Sequence, residues 1–224
     1  MSYISRSTSL IAVVAAATLG FSAPDAEANL LTNAGFEDAG LTGGDTFGAN
    51  GWTAFGGGTF TVHTSVLGAV GANSGDHAFK MFGSASGVFQ EVAVNPGDTV
   101  NANVVMLNFS GDQMANGQVA AINIEWKQGD GSASAITPFI SNGTFTAADA
   151  PVDQWTLQTI TGVAPSDAAT ARLTLITGDF LPGGPGGAPF YDDAFLEVIA
   201  VPEPSSLALL GLGGLALMRR RRQA

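Results

Sequence analysis

Apolar and polar residues alternate with a period of two across most of residues 29–200, and turn-forming residues recur at short intervals. That pattern predicts antiparallel strands and excludes a helical bundle, whose period would be 3.6. Seven segments carry it: 59–64, 88–94, 99–108, 119–127, 155–161, 171–177 and 190–198. Because side chains two apart share a face, Val88, Gln90, Val92 and Val94 form one side of a strand. Val100, Ala102, Val104 and Met106 form another, as do Ala120, Ile122, Ile124 and Trp126, and Ala171, Leu173 and Leu175. These sides are expected to face the core. Asn95-Pro96-Gly97-Asp98 predicts a turn, since Pro presets φ and Gly accepts a positive one. Asn50-Gly51, Asn116-Gly117 and Asn142-Gly143 mark further turns. The glycine- and proline-rich run 181–189 reads as a surface loop before the last strand.

The two ends follow different rules. Residues 1–28 run from Arg6 through an apolar stretch at 10–19 to Ala26-Glu27-Ala28, the order of a secretory signal peptide. At the other end, residues 201–224 begin with Val201-Pro202-Glu203-Pro204. An apolar stretch at 207–218 follows, closed by Arg219, Arg220, Arg221 and Arg222. Twelve apolar residues make a helix of about 18 Å, short of a hydrocarbon core of about 30 Å. The helix is therefore expected to insert only transiently, with its arginines cytoplasmic and the domain outside the inner membrane. These three parts in this order resemble the PEP-CTERM sorting signal of Gram-negative bacteria. The resemblance implies that an exosortase recognises the segment and cuts near residues 202–204, with the protein ending at the cell surface, the outer membrane or the extracellular matrix. A plain C-terminal anchor is the alternative.

Composition narrows the function of the middle. The 224-residue chain is 12% charged, carries 30 glycines and has a formal charge of -11. Residues 29–200 hold sixteen Asp and Glu against Lys80, Lys127 and Arg172. Such a surface repels phosphate backbones, so a nucleic-acid partner is excluded. With no cysteine there is neither disulfide nor thiolate chemistry, and two histidines, His63 and His77, do not make a histidine metal centre. About 170 residues can bury roughly 70% of their chain surface, enough for one β-sandwich without covalent support.

Several landmarks occur in a familiar order: Asn33-Ala34-Gly35-Phe36-Glu37, Trp52, Ser74-Gly75, Ala78-Phe79-Lys80, Gln90-Glu91-Val92, the turn at 95–98, and Asp192-Asp193-Ala194-Phe195-Leu196. Together they resemble carbohydrate-binding modules of the galactose-binding-domain-like jelly roll. The expected fold is therefore an all-β, antiparallel jelly-roll sandwich over 29–200, between the leader and the short sorting helix.

Asp192 shares strand parity with Phe190, Ala194, Leu196 and Val198 and is expected to point inward, where a carboxylate needs a partner. A bound Ca²⁺ would supply one, because it takes carboxylates and carbonyls. The resemblance implies a structural Ca²⁺ between Glu37 and Asp192, with Asp193, Asp76 and Asp45 as further ligands. Loop amides, or Lys80, are the alternative partners. For sugar, the outward positions Asn101 and Asn103 on one strand and Asn123, Glu125 and Lys127 on another are expected to form one hydrogen-bonding set. That set has no ring to stack on a sugar. Trp52 and Trp126 read as core, leaving Trp155, Phe55, Phe47 and Tyr191 to supply an edge ring.

Catalysis finds little footing. Neither histidine accompanies a nucleophile motif, so each reads as a structural residue, while paired acids such as Glu91 with Glu125 are candidates for a glycosidase pair. The sequence thus reads as an exported, exosortase-processed, non-catalytic protein of the cell surface or exopolysaccharide matrix that binds a polysaccharide. A structural matrix protein without a sugar ligand is the runner-up, and a glycan hydrolase comes third.

Overall fold

A computed structural model describes residues 28–83, 85–115, 117–179 and 186–201. The leader up to residue 27, the sorting residues Pro202, Glu203, Pro204 and Arg219 to Arg222, Asn116 and most of the run 181–189 lie outside the described residues. Eleven strands follow one another: β1 (Asp45–Phe47), β2 (Thr53–Phe55), β3 (Gly58–His63), β4 (His77–Phe82), β5 (Ala85–Ala93), β6 (Thr99–Asn108), β7 (Gln118–Lys127), β8 (Phe139–Thr146), β9 (Thr156–Val163), β10 (Thr170–Asp179) and β11 (Pro189–Ile199). No α-helix occurs among the described residues.

The strands form two antiparallel sheets. One has six strands in the order β1-β3-β4-β11-β6-β9, and the other five in the order β2-β5-β10-β7-β8. The alternating faces meet between them: Val100, Val104 and Met106 of β6, Ile122, Ile124 and Trp126 of β7, and Leu173 and Leu175 of β10 are buried in one cluster. On β5, Val88 and Val94 join the same cluster with Val92 packed against it, so the parity expectation holds on all four strands, with Gln90 half-buried. The turn at 95–98 closes with the Asp98 N–H donating to the Asn95 carbonyl at 3.0 Å, and Gly97 takes φ 91°. The N-terminal segment runs beside β11, with the Leu30 N–H donating to the Leu196 carbonyl at 2.9 Å. At the far end, the Val201 N–H donates to Asp98 Oδ1 at 3.2 Å.

The two outer faces differ. Segment 64–76 lies over the six-stranded sheet and closes a second core of Val62, Leu67, Ala78, Leu107 and Phe190. Trp155 packs there and donates its indole N–H to the Gly71 carbonyl at 3.1 Å. Among the described residues, no hydrophobic cluster lies over the outer face of the five-stranded sheet. That face is open.

Four strands escape the periodicity. β1 and β2 are three residues long, too short for a period to register, and β4 begins directly after a polar loop. β8 is the instructive case, because Asn142-Gly143, expected as a turn, lies inside it. Asn142 pairs with Ile122 next to a bulge in β8 itself, where residues 143 and 144 oppose Ala121 alone. The hairpin turn stands earlier, where the Gly131 N–H donates to the Gln128 carbonyl at 2.9 Å.

Candidate functional site

The strand register sets out the open face as rows. Glu91 of β5, Arg172 of β10, Glu125 of β7 and Phe139 of β8 stand directly side by side. The next row holds Phe89, Thr174, Asn123 and Ser141, and beyond it Phe55 of β2 stands beside Gly87, Ile176 and Ala121. Lys127 of β7 ends the face on the other side. Directly opposed side chains sit about 5 Å apart, so each row is a continuous contact surface.

The charges in it are mutually engaged. Arg172 places Nε and Nη2 at 2.8 and 2.6 Å from Glu91 Oε1, and Nη1 at 3.6 Å from Glu125 Oε2. Its guanidinium carbon lies 4.0 Å over the Phe89 ring. Lys127 Nζ is 3.6 Å from Glu125 Oε2, and the Thr174 hydroxyl donates to Glu125 Oε1 at 2.7 Å. Asn123 Oδ1 is enclosed without a hydrogen-bond partner. Phe139 is 55% exposed beside Glu125.

Three expectations change here. Asn101 and Asn103 do not join Asn123, Glu125 and Lys127, because β6 belongs to the six-stranded sheet and β7 to the other. The two sets therefore face opposite sides of the sandwich. Parity separates inward from outward but does not say which sheet a strand enters. Asn101 is also engaged within its own sheet, donating to Glu197 Oε1 at 2.6 Å and accepting from the Thr161 hydroxyl at 2.9 Å. Second, the β7 face does carry rings, Phe55, Phe89 and Phe139, each outward once its strand partner is known. Outward parity on β5 alone could have revealed Phe89 and Glu91. Third, Tyr191 is no edge ring. It is wholly buried, its hydroxyl donates to the Ile176 carbonyl at 2.9 Å, and burial pushes its phenol well above the usual range. Trp52 and Trp126 lie in the core as read, while Phe47 is exposed on edge strand β1.

Glu91 and Glu125 face each other across Arg172 instead of across open space.

A separate acidic cluster joins the N-terminal turn to β11. Gly35 stands against Glu37, Asp192 and Asp193. A bulge in β11 between Asp192 and Phe195 resets the parity, so Asp192 is fully buried but lies under segment 64–76, with no inward direction of the kind expected. Its Oδ2 accepts the Asn73 and Ser74 N–H groups at 2.9 and 3.2 Å, and Oδ1 accepts the Asp193 N–H at 2.7 Å. Burial, and then the neighbouring Asp193 charge, push its carboxyl up to about 7 despite those donors. Lys80 is not its partner, being paired with Asp112. Glu37 accepts the N–H groups of Asp76 and His77 through Oε1 at 3.2 and 3.1 Å and meets His77 Nδ1 at 2.8 Å. On its other side, His77 Nε2 lies 3.0 Å from the Leu41 N–H and 3.2 Å from the Leu41 carbonyl oxygen. His77 is thus a structural bridge. Asp76 contributes its backbone, and its side chain is exposed, as is that of Asp45.

The donors are all oxygen and include a buried carboxylate with a carboxylate neighbour, the chemistry that Ca²⁺ takes. Their oxygens now point at amide hydrogens, and among the described residues no three acids or histidines converge as metal ligands. A cation at Gly35 would require Glu37 to leave His77.

Residues 200–222 match the PEP-CTERM protein-sorting motif. The motif implies export and a cell-surface or extracellular location. No curated protein matches the sequence. Among solved structures, the fold is similar to the enzymatically active domain of tailspike protein 4 of bacteriophage CBA120, at 13% identity and TM-score 0.51, over 76% of this chain and 21% of that one. It is also similar to the N-terminal tandem CBM22 domain of Xyn10C from Paenibacillus barcinonensis, at 17% identity and TM-score 0.50, over 82% of this chain and 48% of that one. A family 16 carbohydrate-binding module aligns at 20% identity and TM-score 0.49, over 75% of this chain and 99% of that one. The chain spans about a fifth of the tailspike domain and about half of the tandem module. The protein is an all-β sandwich of the architecture found in carbohydrate-binding modules, carrying a PEP-CTERM sorting motif at its C-terminal end.

Proposed function

We propose that residues 29–200 form a non-catalytic glycan-binding module, exported behind the leader 1–28 and processed by an exosortase within 201–224, that works at the cell surface or in the exopolysaccharide matrix. The observation that carries this reading is Phe139, more than half exposed in one row with Glu125, with Asn123 diagonal to it and Ser141 next on the same face of β8. A ring stacks on the apolar face of a sugar while hydroxyl, amide and carboxylate groups beside it bond the sugar hydroxyls. Single-site affinity is expected to be weak and multiplied by repeated engagement along a polymer.

Affinity electrophoresis of the full chain in mild detergent, through gels containing a polysaccharide panel, tests it. Retardation that falls several-fold in Phe139→Ala is expected, with the melting temperature nearly unchanged because the ring is largely in solvent. Migration unaffected by every polymer would leave the structural matrix role.

The proposal includes Ca²⁺ at the acidic cluster, held by Glu37 and Asp192, with Asp193 and Asp76 as further ligands. A divalent ion there would neutralise the adjacent carboxylates and tie the N-terminal turn to β11. Added Ca²⁺ is expected to raise the melting temperature by several degrees and a chelator to reverse it, since an ion that binds only the native state stabilises it. Equal melting temperatures in calcium and chelator would remove the ion from the proposal.

A further inference from the structure

We infer that the open face selects uncharged glycans, and that Glu91 sets this selection by holding Arg172. The inference rests on the glycan-binding reading and names the class of ligand. Residues 29–200 contain three bases, and each is committed to a carboxylate. Lys80 is on the six-stranded sheet with Asp112, away from the face. On the face, Arg172 is held on one side by Glu91, flanked on another by Glu125, and covered below by Phe89. Lys127 shares the same oxygen of Glu125.

Recognition of a uronate, sulfate or phosphate needs a free cationic fork, and the guanidinium that has the right geometry already spends two N–H groups on Glu91. An approaching anion would also meet Glu91 and Glu125 at contact distance, against a domain holding sixteen acids. A cationic amino-sugar polymer fares no better at the face itself, because Glu91 and Glu125 are matched by Arg172 and Lys127. What remains available is chemistry for hydroxyl groups: the exposed Ser141 hydroxyl, the outer lone pairs of the two carboxylates and the exposed Phe139 ring. Glu91 is then a specificity-determining residue whose effect is exerted through Arg172.

The test uses the full chain in mild detergent and gels cast with a neutral galactan, a neutral mannan, polygalacturonate or chitosan, each run at low and high salt. Retardation by a neutral polymer that is insensitive to salt is expected, with none by polygalacturonate. Glu91→Gln frees Arg172 and is expected to create roughly fivefold retention on polygalacturonate at low salt, lost at high salt. Glu91→Asp retains a carboxylate for Arg172 and should create none. Asp38→Asn makes the same change in net charge on an exposed residue away from the face and should also create none. Stronger wild-type retention on polygalacturonate or chitosan than on either neutral polymer would overturn the inference while leaving glycan binding standing. Equal gains from Glu91→Gln and Asp38→Asn would overturn the role of Glu91. A wild-type chain retarded by none of the four would overturn the glycan-binding reading and this inference with it.

Discussion

A carboxyl group with no exposure to water, three amide donors and a second carboxylate next in sequence is a point of electrostatic tension. Asp192 has its carboxyl raised from 3.8 to about 7 by burial first and by Asp193 second. Between about pH 4 and pH 7 the unfolded chain releases this proton while the folded one keeps it, so stability falls as pH rises across that window and levels off above it. The loss is on the order of a few kcal/mol. Asp192→Asn removes the titration. Its stability relative to wild type, followed by melting in the absence of calcium, should therefore improve steadily from pH 5 to pH 7. Parallel curves would show that Asp192 does not titrate there. The burial of Asp192 was legible from strand parity, but its direction was not, because a bulge two residues long resets which side of the strand a residue occupies. His77 reads as a structural residue from the sequence, but its partners could not be read there. Its role depends on Glu37 and Leu41, forty and thirty-six residues earlier in the chain, meeting it across a turn.

Strands pack as closely as their smallest residues permit, and β5 shows this at Gly87. A methyl group built there would stand 2.6 Å from Phe55 Cε1 and 2.7 Å from the Leu175 carbonyl oxygen. Gly87→Ala should lift Phe55 and β2 from the open face and cost about 1–3 kcal/mol in a urea titration. Gly129→Ala, with nothing within 4 Å of the added methyl, should cost much less. Equal costs would mean that the contact over Gly87 is easily relieved. At this scale the long strands β6, β7, β10 and β11 could be read within two residues of their ends, because each contributes a run of alternating residues to the core, broken in β11 only by its bulge. Their neighbours could not be read. The face that matters is assembled from β5, β10, β7 and β8, whose order in the sheet differs from their order in sequence. That is why Glu125 was found and its companions Arg172 and Phe139 were not.

Sixteen acids against three bases within residues 29–200 make the domain repel itself. Screening should relieve that repulsion, so the melting temperature at neutral pH is expected to rise by a few degrees from low to physiological salt. A flat or falling response would mean that the pairs around Arg172 and Lys80 outweigh the repulsion. The class of the molecule was legible from its landmarks and its sorting motif because those depend on local order, whereas the asymmetry of its two outer faces depends on where segment 64–76 folds back. The hydrogen bond from Val201 to Asp98 has one more consequence. The sorting motif begins at residue 200, so it starts before the sandwich has let go of the chain. A surface joined directly after Val201 would meet the sandwich with no spacer between them. Copies arrayed on a common surface would share one height and one bearing, tiled instead of tethered, and would engage a long polymer through lateral order because they have little reach of their own.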